Sequence, residues 1–299
     1  MNNSTLDLIG LTPLVKLKGE FACPIYAKLE MFNPGGSAKD RSALKMVESA
    51  ERAGLLKPGA TIVEASSGNQ GIALAMIGAV KGYKVIITVS AKISKEKTKT
   101  LQAYGARVVR CKNAAHNDAQ GYYMTAKKIA QHIKGAYFPD QYNNQLNPLA
   151  HEQWTGPEVW KQTKGKITHF FAAAGTMGTV MGVGRYLKNK NPKIKIIAVD
   201  AANSAFSNSS PKPYKVEGLG VDSVPDFYDN SIIDEVIAIK DEQAFASCRK
   251  LAKKQGLLVG GSSGAVFAAL EKYKLRFKKN DFVVGLFVDS GKPYLDKIF

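Results

Sequence analysis

Short apolar runs of strand length alternate with longer stretches of helical apolar spacing along most of the chain, and this alternation limits the possible folds more than any other feature. The first series predicts a strand at 24–30, then a helix at 42–52 with Leu44, Val47 and Ala50 on one face. It continues with a strand at 61–64, a helix at 72–81, strands at 84–89 and 107–110 around a helix at 94–104 that stops at Gly105, and a helix at 118–134. A second series predicts strands at 167–174, 195–199, 235–239 and 282–287, with helices at 180–188, 242–255 and 265–274. Strand, helix and strand in repeated succession make a mostly parallel sheet covered by helices, so the expected class is α/β. A length of 299 residues suggests two domains, and the Ser- and Asn-rich stretch 201–213 with two prolines reads as a loop.

Composition removes several function classes. The formal net charge is +17, yet the basic residues are dispersed, and their densest groups, 188–195 and 272–279, read as solvated helix ends and loops. No nucleic-acid module accompanies them, so no nucleic-acid partner is expected, while a general attraction for small anions is. No apolar run reaches membrane-spanning length and the first residues do not resemble a signal peptide, which predicts a cytoplasmic protein with no membrane partner. Cys23, Cys111 and Cys248 lie far apart without a Cys-x-x-Cys pair, so neither a disulfide framework nor a zinc site is expected. His116, His132, His151 and His169 form no metal-ligand pattern and read as surface or packing residues.

Four glycine-containing turns carry the chemistry. In Asn33-Pro34-Gly35-Gly36-Ser37-Ala38-Lys39-Asp40-Arg41, a lysine stands at a strand-to-helix junction, where side chains are aimed into clefts. A lysine attacks a carbonyl only as the neutral amine, which a desolvated or electropositive setting favours; Arg41 and nearby N–H groups supply one. Gly175-Thr176-Met177-Gly178-Thr179 joins an apolar strand to a helix, where N–H groups, the helix dipole and two hydroxyls suit a phosphate. It is neither a nucleotide P-loop nor a dinucleotide fingerprint. Ser66-Ser67-Gly68-Asn69-Gln70-Gly71 forms a similar cradle suited to a carboxylate, and Gly260-Gly261-Ser262-Ser263-Gly264 opens another helix. Each has a plainer reading as a surface lysine, a connecting turn or an ordinary helix cap, and their co-occurrence weighs against it.

Together with Ile9-Gly10-Leu11-Thr12-Pro13-Leu14-Val15, these motifs resemble the fold type II pyridoxal-phosphate enzymes, in particular the cysteine synthase and cystathionine β-synthase family, over nearly the whole chain. The resemblance implies pyridoxal 5'-phosphate as cofactor and two domains with the active site in the cleft between them. The smaller, mobile domain is expected at 41–144 and the larger, cofactor-binding one at 1–40 and 145–299. It implies Lys39 as the Schiff-base residue and base, Gly175 to Thr179 as the phosphate loop, Asn69 at the cofactor's phenolic oxygen and Ser262 at its pyridine nitrogen. Ser66, Ser67, Gly68, Asn69, Gln70 and Gln141 are the implied substrate-carboxylate residues. Glu217 and Asp222, in a segment resembling the second-substrate entrance, are candidate bases, and Asp289-Ser290 matches a segment beside the ring. Three positions depart from the family pattern: Ser66 and Gln70 stand for threonines, with Gln70 long enough to reach the substrate or restrict its side chain, and Met177 stands for a glycine and is expected to pack outward.

The implied function is β-replacement on cysteine, serine or an O-activated serine through an aminoacrylate, with sulfide or a thiol as reactant or product. Cystathionine β-synthase-type condensation with homocysteine and serine or threonine deamination are the alternatives, and a non-catalytic binding module is a further one. A homodimer is implied. Neither a haem-binding extension nor a regulatory domain is expected.

Overall fold

The computed structural model describes residues 3–91, 93–112, 118–221 and 223–299. In chain order, strands β1 (Leu14–Lys16) and β2 (Ile25–Leu29) precede helix α1 (Lys39–Arg52), β3 (Thr61–Ala65), α2 (Asn69–Lys81), β4 (Lys84–Ser90), α3 (Lys95–Ala103), β5 (Arg107–Cys111) and α4 (Tyr122–His132). There follow α5 (Leu146–Ala150), a π-helical turn over His151–Thr155, α6 (Gly156–Gln162), β6 (His169–Ala173), α7 (Gly178–Lys190), β7 (Lys195–Ala201) and β8 (Glu235–Ile239). The chain closes with α8 (Asp241–Gln255), α9 (Gly261–Tyr273), β9 (Val283–Phe287) and the short α10 (Leu295–Ile298).

The chain divides into two compact units, one of Met1–Ile9 and Lys39–Leu146, the other of Gly10–Ala38 and Asn147–Phe299. The smaller unit is built on a parallel sheet ordered β3-β4-β5. Its strands read as almost unbroken apolar runs because both faces are covered, and Ile62, Val63 and Ile87 are fully buried. Helix α2 is buried from Gln70 to Gly78 and is therefore apolar nearly all round. Its close approach to β4 depends on Gly78, where a Cβ would stand 2.3 Å from Val85 Cγ2. The expected division put residues 1–40 wholly in the larger domain. Instead, the segment holding the 3-10 helix Thr5–Leu8 groups with the smaller unit, where that helix packs against α2.

The larger unit carries a six-stranded sheet ordered β1-β2-β9-β6-β7-β8, parallel except for the antiparallel edge strand β1. Successive side chains point to opposite faces, so Phe171, with Ile25 and Leu29, joins the core that includes α8 and α9, while Phe170 joins the one that includes α7. Asp200, buried at the end of β7, accepts hydrogen bonds from the hydroxyls of Ser204 and Ser207 and so fastens the start of the predicted loop. The three cysteines are buried thiols, with burial pushing Cys23 up to about 11 and Cys248 up to about 12. Among the described residues no helix is long and apolar enough to cross a membrane.

Candidate active site

In the smaller unit, Lys39 is the first residue of α1, three residues earlier than apolar spacing indicates. Burial pushes its ammonium down to about 8, against the pull of Glu64, whose negative charge favours the protonated form. The hydroxyl of Ser42, one turn into the helix, lies 3.2 Å from both the Lys39 carbonyl and Gln70 Oε1. The other end of the Gln70 amide meets Met46 Sδ at 3.5 Å, so the side chain of Gln70 is buried against α1. The Gln70 side-chain amide is thus engaged with the helix that Lys39 begins.

The cradle residues cluster where β3 ends. Ser66 Oγ accepts the N–H groups of Gly68 and Gly71 at 3.2 and 3.1 Å, folding the loop over the first turn of α2. Ser67 Oγ accepts the Ser90 N–H at 2.7 Å, tying the loop to β4. Gly71 suits this fit, since a Cβ there would lie a tight 3.1 Å from Ile87 Cγ2 and from the Ser66 carbonyl. Asn69 opens α2, and its cap residue Gly68 contributes no side-chain bond, leaving the dipole end of the helix for an anion. Gln141 is buried and donates from Nε2 to the Ala65 carbonyl at 3.2 Å, which brings it to the same loop. Lys39, Ser66 to Gln70 and Gln141 are thus gathered within this unit.

In the larger unit, the loop from Gly175 to Thr179 links β6 to the N-terminus of α7. A Cβ at Gly175 would lie 2.8 Å from the Gly218 carbonyl, and one at Gly178 would lie 2.2 Å from Asn147 Oδ1, so the turn closes only with glycine at both positions. Met177 takes a left-handed conformation (φ 61°) and its side chain is buried in the core, not turned outward as expected, because that conformation directs it beneath the loop. Asn147 donates to Thr176 Oγ1 at 3.0 Å, and His151 Nε2 lies 3.1 Å from Thr179 Oγ1 while its Nδ1 meets Thr155 Oγ1 at 2.9 Å. Both hydroxyls of the loop are therefore oriented from behind by buried side chains. Sequence missed Asn147, and it read His151 as a packing or surface residue; nothing in the spacing of 146–162 indicates the π-helical turn that aims them.

Ser262 lies buried in the first turn of α9, with its hydroxyl 4.0 Å from where a Gly218 Cβ would stand. Gly220 donates to the Ala174 carbonyl at 2.8 Å, so the segment around Gly218 lies along the phosphate-type loop. Glu217, in that segment, forms an ion pair with Lys297 at 2.9 Å. Asp222 lies outside the described residues. Asp289 Oδ2 accepts the Tyr294 hydroxyl at 2.7 Å, and its Oδ1 crowds Gly260 closely enough that a Cβ there would lie 2.1 Å away.

The lysine motif is held by a buried polar network that composition gives no hint of. Lys28, fully buried on β2, donates to the Thr12 carbonyl, Glu158 Oε2 and Gln162 Oε1 at 2.7, 2.7 and 2.9 Å, which engages all three ammonium hydrogens. Thr12 donates to Glu30 Oε1, and Asn33 donates to Glu30 Oε2 and the Ser37 carbonyl while accepting the Gly10 N–H at 2.8 Å. The Gly10-Leu11-Thr12-Pro13 signature and the turn leading to Lys39 are thus parts of one structure. No group of His, Cys, Asp and Glu able to hold a metal occurs among the described residues.

The chain matches the family described as pyridoxal-phosphate dependent enzyme over residues 5–289. It is 44% identical over 303 residues to a cystathionine beta-synthase of Apis mellifera, covering 98% of this chain and 60% of that protein. It is 42% identical to a cysteine synthase of Staphylococcus aureus (strain Mu50 / ATCC 700699), covering 97% of this chain and 94% of that one. Among solved structures, an O-acetylserine dependent cystathionine beta-synthase from Helicobacter pylori superposes with a TM-score of 0.94 at 37% identity, covering 100% and 99% of the two chains. The chain spans about three fifths of the length of the cystathionine beta-synthase from Apis mellifera.

Proposed function

Because the chain belongs to the pyridoxal-phosphate dependent enzyme family, we propose that it performs β-replacement on an L-serine-type amino acid, with sulfide or a thiol as reactant or product. The observation that carries this is Lys39 at the head of α1, its amine brought down to about 8 by burial. An amine there is neutral in an appreciable fraction near physiological pH, as a nucleophile and base must be.

The residues present fit the cofactor. The Gly175 to Thr179 turn is too close to its surroundings for any Cβ at its glycines, and the N–H groups at the head of α7 suit a phosphate. Asn69 would meet the phenolic oxygen and Ser262 the pyridine nitrogen. When bound, the cofactor supplies an aldehyde for the substrate amine and a ring that draws electrons from the breaking Cα–H bond. Ser262 is neutral, so it gives a protonated ring less support than a carboxylate would, which suits loss and replacement of a β-substituent. Lys39 Nζ takes the proton from Cα. The substrate carboxylate is held by Ser66, Ser67, Asn69, backbone N–H of Gln70, and Gln141. Glu217 and Asp222 are the candidate bases for the incoming nucleophile. The reading requires the two half-sites to close on one molecule and takes the protein to be a cytoplasmic homodimer.

The test incubates cofactor-loaded protein with cysteine, serine, O-acetylserine and O-phosphoserine, each with and without sulfide or homocysteine, and identifies products by mass spectrometry. A thioether or cysteine product, or sulfide released from cysteine, is expected. Pyruvate and ammonia as main products would replace this reading with deamination. The Lys39→Ala variant should lose turnover by at least about 10³-fold, since it removes both base and nucleophile; unchanged turnover would remove Lys39 from the reaction, and no turnover of any substrate by the unaltered protein would favour a binding module.

A further inference from the structure

Helices α5 and α6 run together through the π-helical turn His151–Thr155, and such a turn, rare in itself, is kept where a side chain has to be aimed. This one is pressed against α7. A Cβ at Gly182 would lie 2.0 Å from the Pro148 carbonyl oxygen, 2.8 Å from His151 Cβ and 2.9 Å from the Glu152 nitrogen, and one at Gly178 would lie 2.2 Å from Asn147 Oδ1. Gly178 and Gly182 stand one helical turn apart, so they form a groove that admits the 147–152 stretch, with Thr179 at its edge. A larger residue at Gly182 would push the turn, and His151 with it, away from Thr179.

His151 is fully buried and its ring nitrogens face two threonines: Nδ1 meets Thr155 Oγ1 at 2.9 Å within the turn, and Nε2 meets Thr179 Oγ1 at 3.1 Å on α7. Thr155 is fully buried as well. Two proton arrangements of a neutral imidazole satisfy these contacts. In one, Thr179 donates to Nε2 and turns only oxygen lone pairs to the loop. In the other, Thr155 donates to Nδ1, Nε2–H donates to Thr179 Oγ1, and the Thr179 hydroxyl keeps its proton for a further acceptor. Thr179 is the second residue of α7, whose N-terminus carries no side-chain cap, so the space before it is lined by N–H donors and suits an anion. An anion there is repelled by the first arrangement and receives a hydrogen bond from the second. Thr176 of the same loop shows the matching polarity, because its Oγ1 accepts from Asn147 Nδ2.

We propose that His151 is a positioning residue for the phosphate group of the cofactor: it carries a proton on Nε2, held there by the Thr155 hydroxyl, and thereby makes the Thr179 hydroxyl a donor towards that phosphate. Which nitrogen of a histidine is protonated is set by the hydrogen bond that the other makes, and Thr155 occupies that position here. The inference rests on the Gly175 to Thr179 loop being the phosphate site of the proposed function.

The experiment uses the full chain with nitrogen-15 in its four histidines, loaded with pyridoxal phosphate. A long-range proton–nitrogen correlation spectrum, with the His151 signals identified by their loss in His151→Gln, should show Nε2 protonated; an Nε2 without a proton overturns the proposal. Cofactor affinity, read by absorbance titration, gives a second measure. His151→Leu should weaken it by about tenfold, Thr179→Val by a similar factor, and the double variant by no more than either alone, since all three remove the same donation. His151→Gln, whose amide offers an N–H where Nε2 stood, should stay within about threefold of the unaltered chain. A histidine that only fills space would lack that rescue and would still matter once Thr179 has lost its hydroxyl. A folded His151→Leu chain that binds as tightly as the unaltered one, or losses that add in the double variant, therefore overturn the proposal, and where His151→Leu does not fold the spectrum decides. Should the unaltered chain take up no pyridoxal phosphate, the proposed function falls and this inference with it; uptake followed by any of the contrary results overturns this inference alone.

Discussion

Glu64 and Lys39 leave opposite marks on stability. Folding raises Glu64 from the ordinary 4.5 to about 8, so its contribution is fully present below 4.5 and is lost as pH rises towards 8. Folding lowers Lys39 from 10.5 to about 8, so its contribution is present above 10.5 and is lost as pH falls through 8. The two give a minimum near pH 8, a tenfold change in the affinity of either group for its proton being worth about 1.4 kcal/mol. Urea unfolding of the cofactor-free chain at pH 5 and pH 8 should therefore show Glu64→Gln gaining on the unaltered protein at the higher pH. A stability difference that does not change between those pH values would contradict the buried neutral acid. Gln70 shows the same economy of buried polar groups: its amide finds partners in Ser42 and Met46.

At the scale of elements, the proposed working residues sit in the first turns of helices. Lys39, Asn69, Gly178 and Ser262 all lie there, where backbone N–H groups have no partner within the helix. Gly178→Ala should expose this dependence, because the added methyl carbon would lie 2.2 Å from Asn147 Oδ1 and force the loop away from α5. Pyridoxal phosphate affinity, read by absorbance titration, should fall by about tenfold or more, with Lys39 still able to react at high cofactor concentration. These starts explain what sequence pattern could and could not reveal. Apolar periodicity placed the bodies of α1, α2, α7 and α9 but began each of them late, since Lys, Asn, Gly and Ser carry no apolar signal. Strands β3, β4, β6 and β9 were legible because buried parallel strands are apolar throughout. Residues 146–162 were not, because the turns there are short and Asn147 and His151 are placed by packing among distant segments.

For the whole molecule, the larger unit is assembled from both ends of the chain. Removing residues 1–38 would delete β1 and β2, strip β9 of a neighbour and leave Glu158 without the buried ammonium of Lys28. Loss of one partner from such a buried pair costs about 3–5 kcal/mol, before the missing strands are considered. The truncated chain should show no cooperative thermal transition by circular dichroism, whereas the intact chain should show one that rises when pyridoxal phosphate is added. The cofactor motifs made the family legible from local sequence alone. The networks that hold those motifs were not, since they join Gly10, Thr12, Lys28, Asn33, Glu158 and Gln162 across as many as 150 residues.

The position of β9 bears on how the protein is made. Strand β9, made after all the other strands of this sheet, lies between β2 and β6, so the middle of the large sheet stays open until β9 has emerged. Strands β3, β4 and β5 are neighbours in sequence as well as in space and can pair long before that. A nascent chain would thus carry a formed small unit beside an unfinished larger one with two bare strand edges, and its passage through that interval would be the slow and aggregation-prone part of its biogenesis.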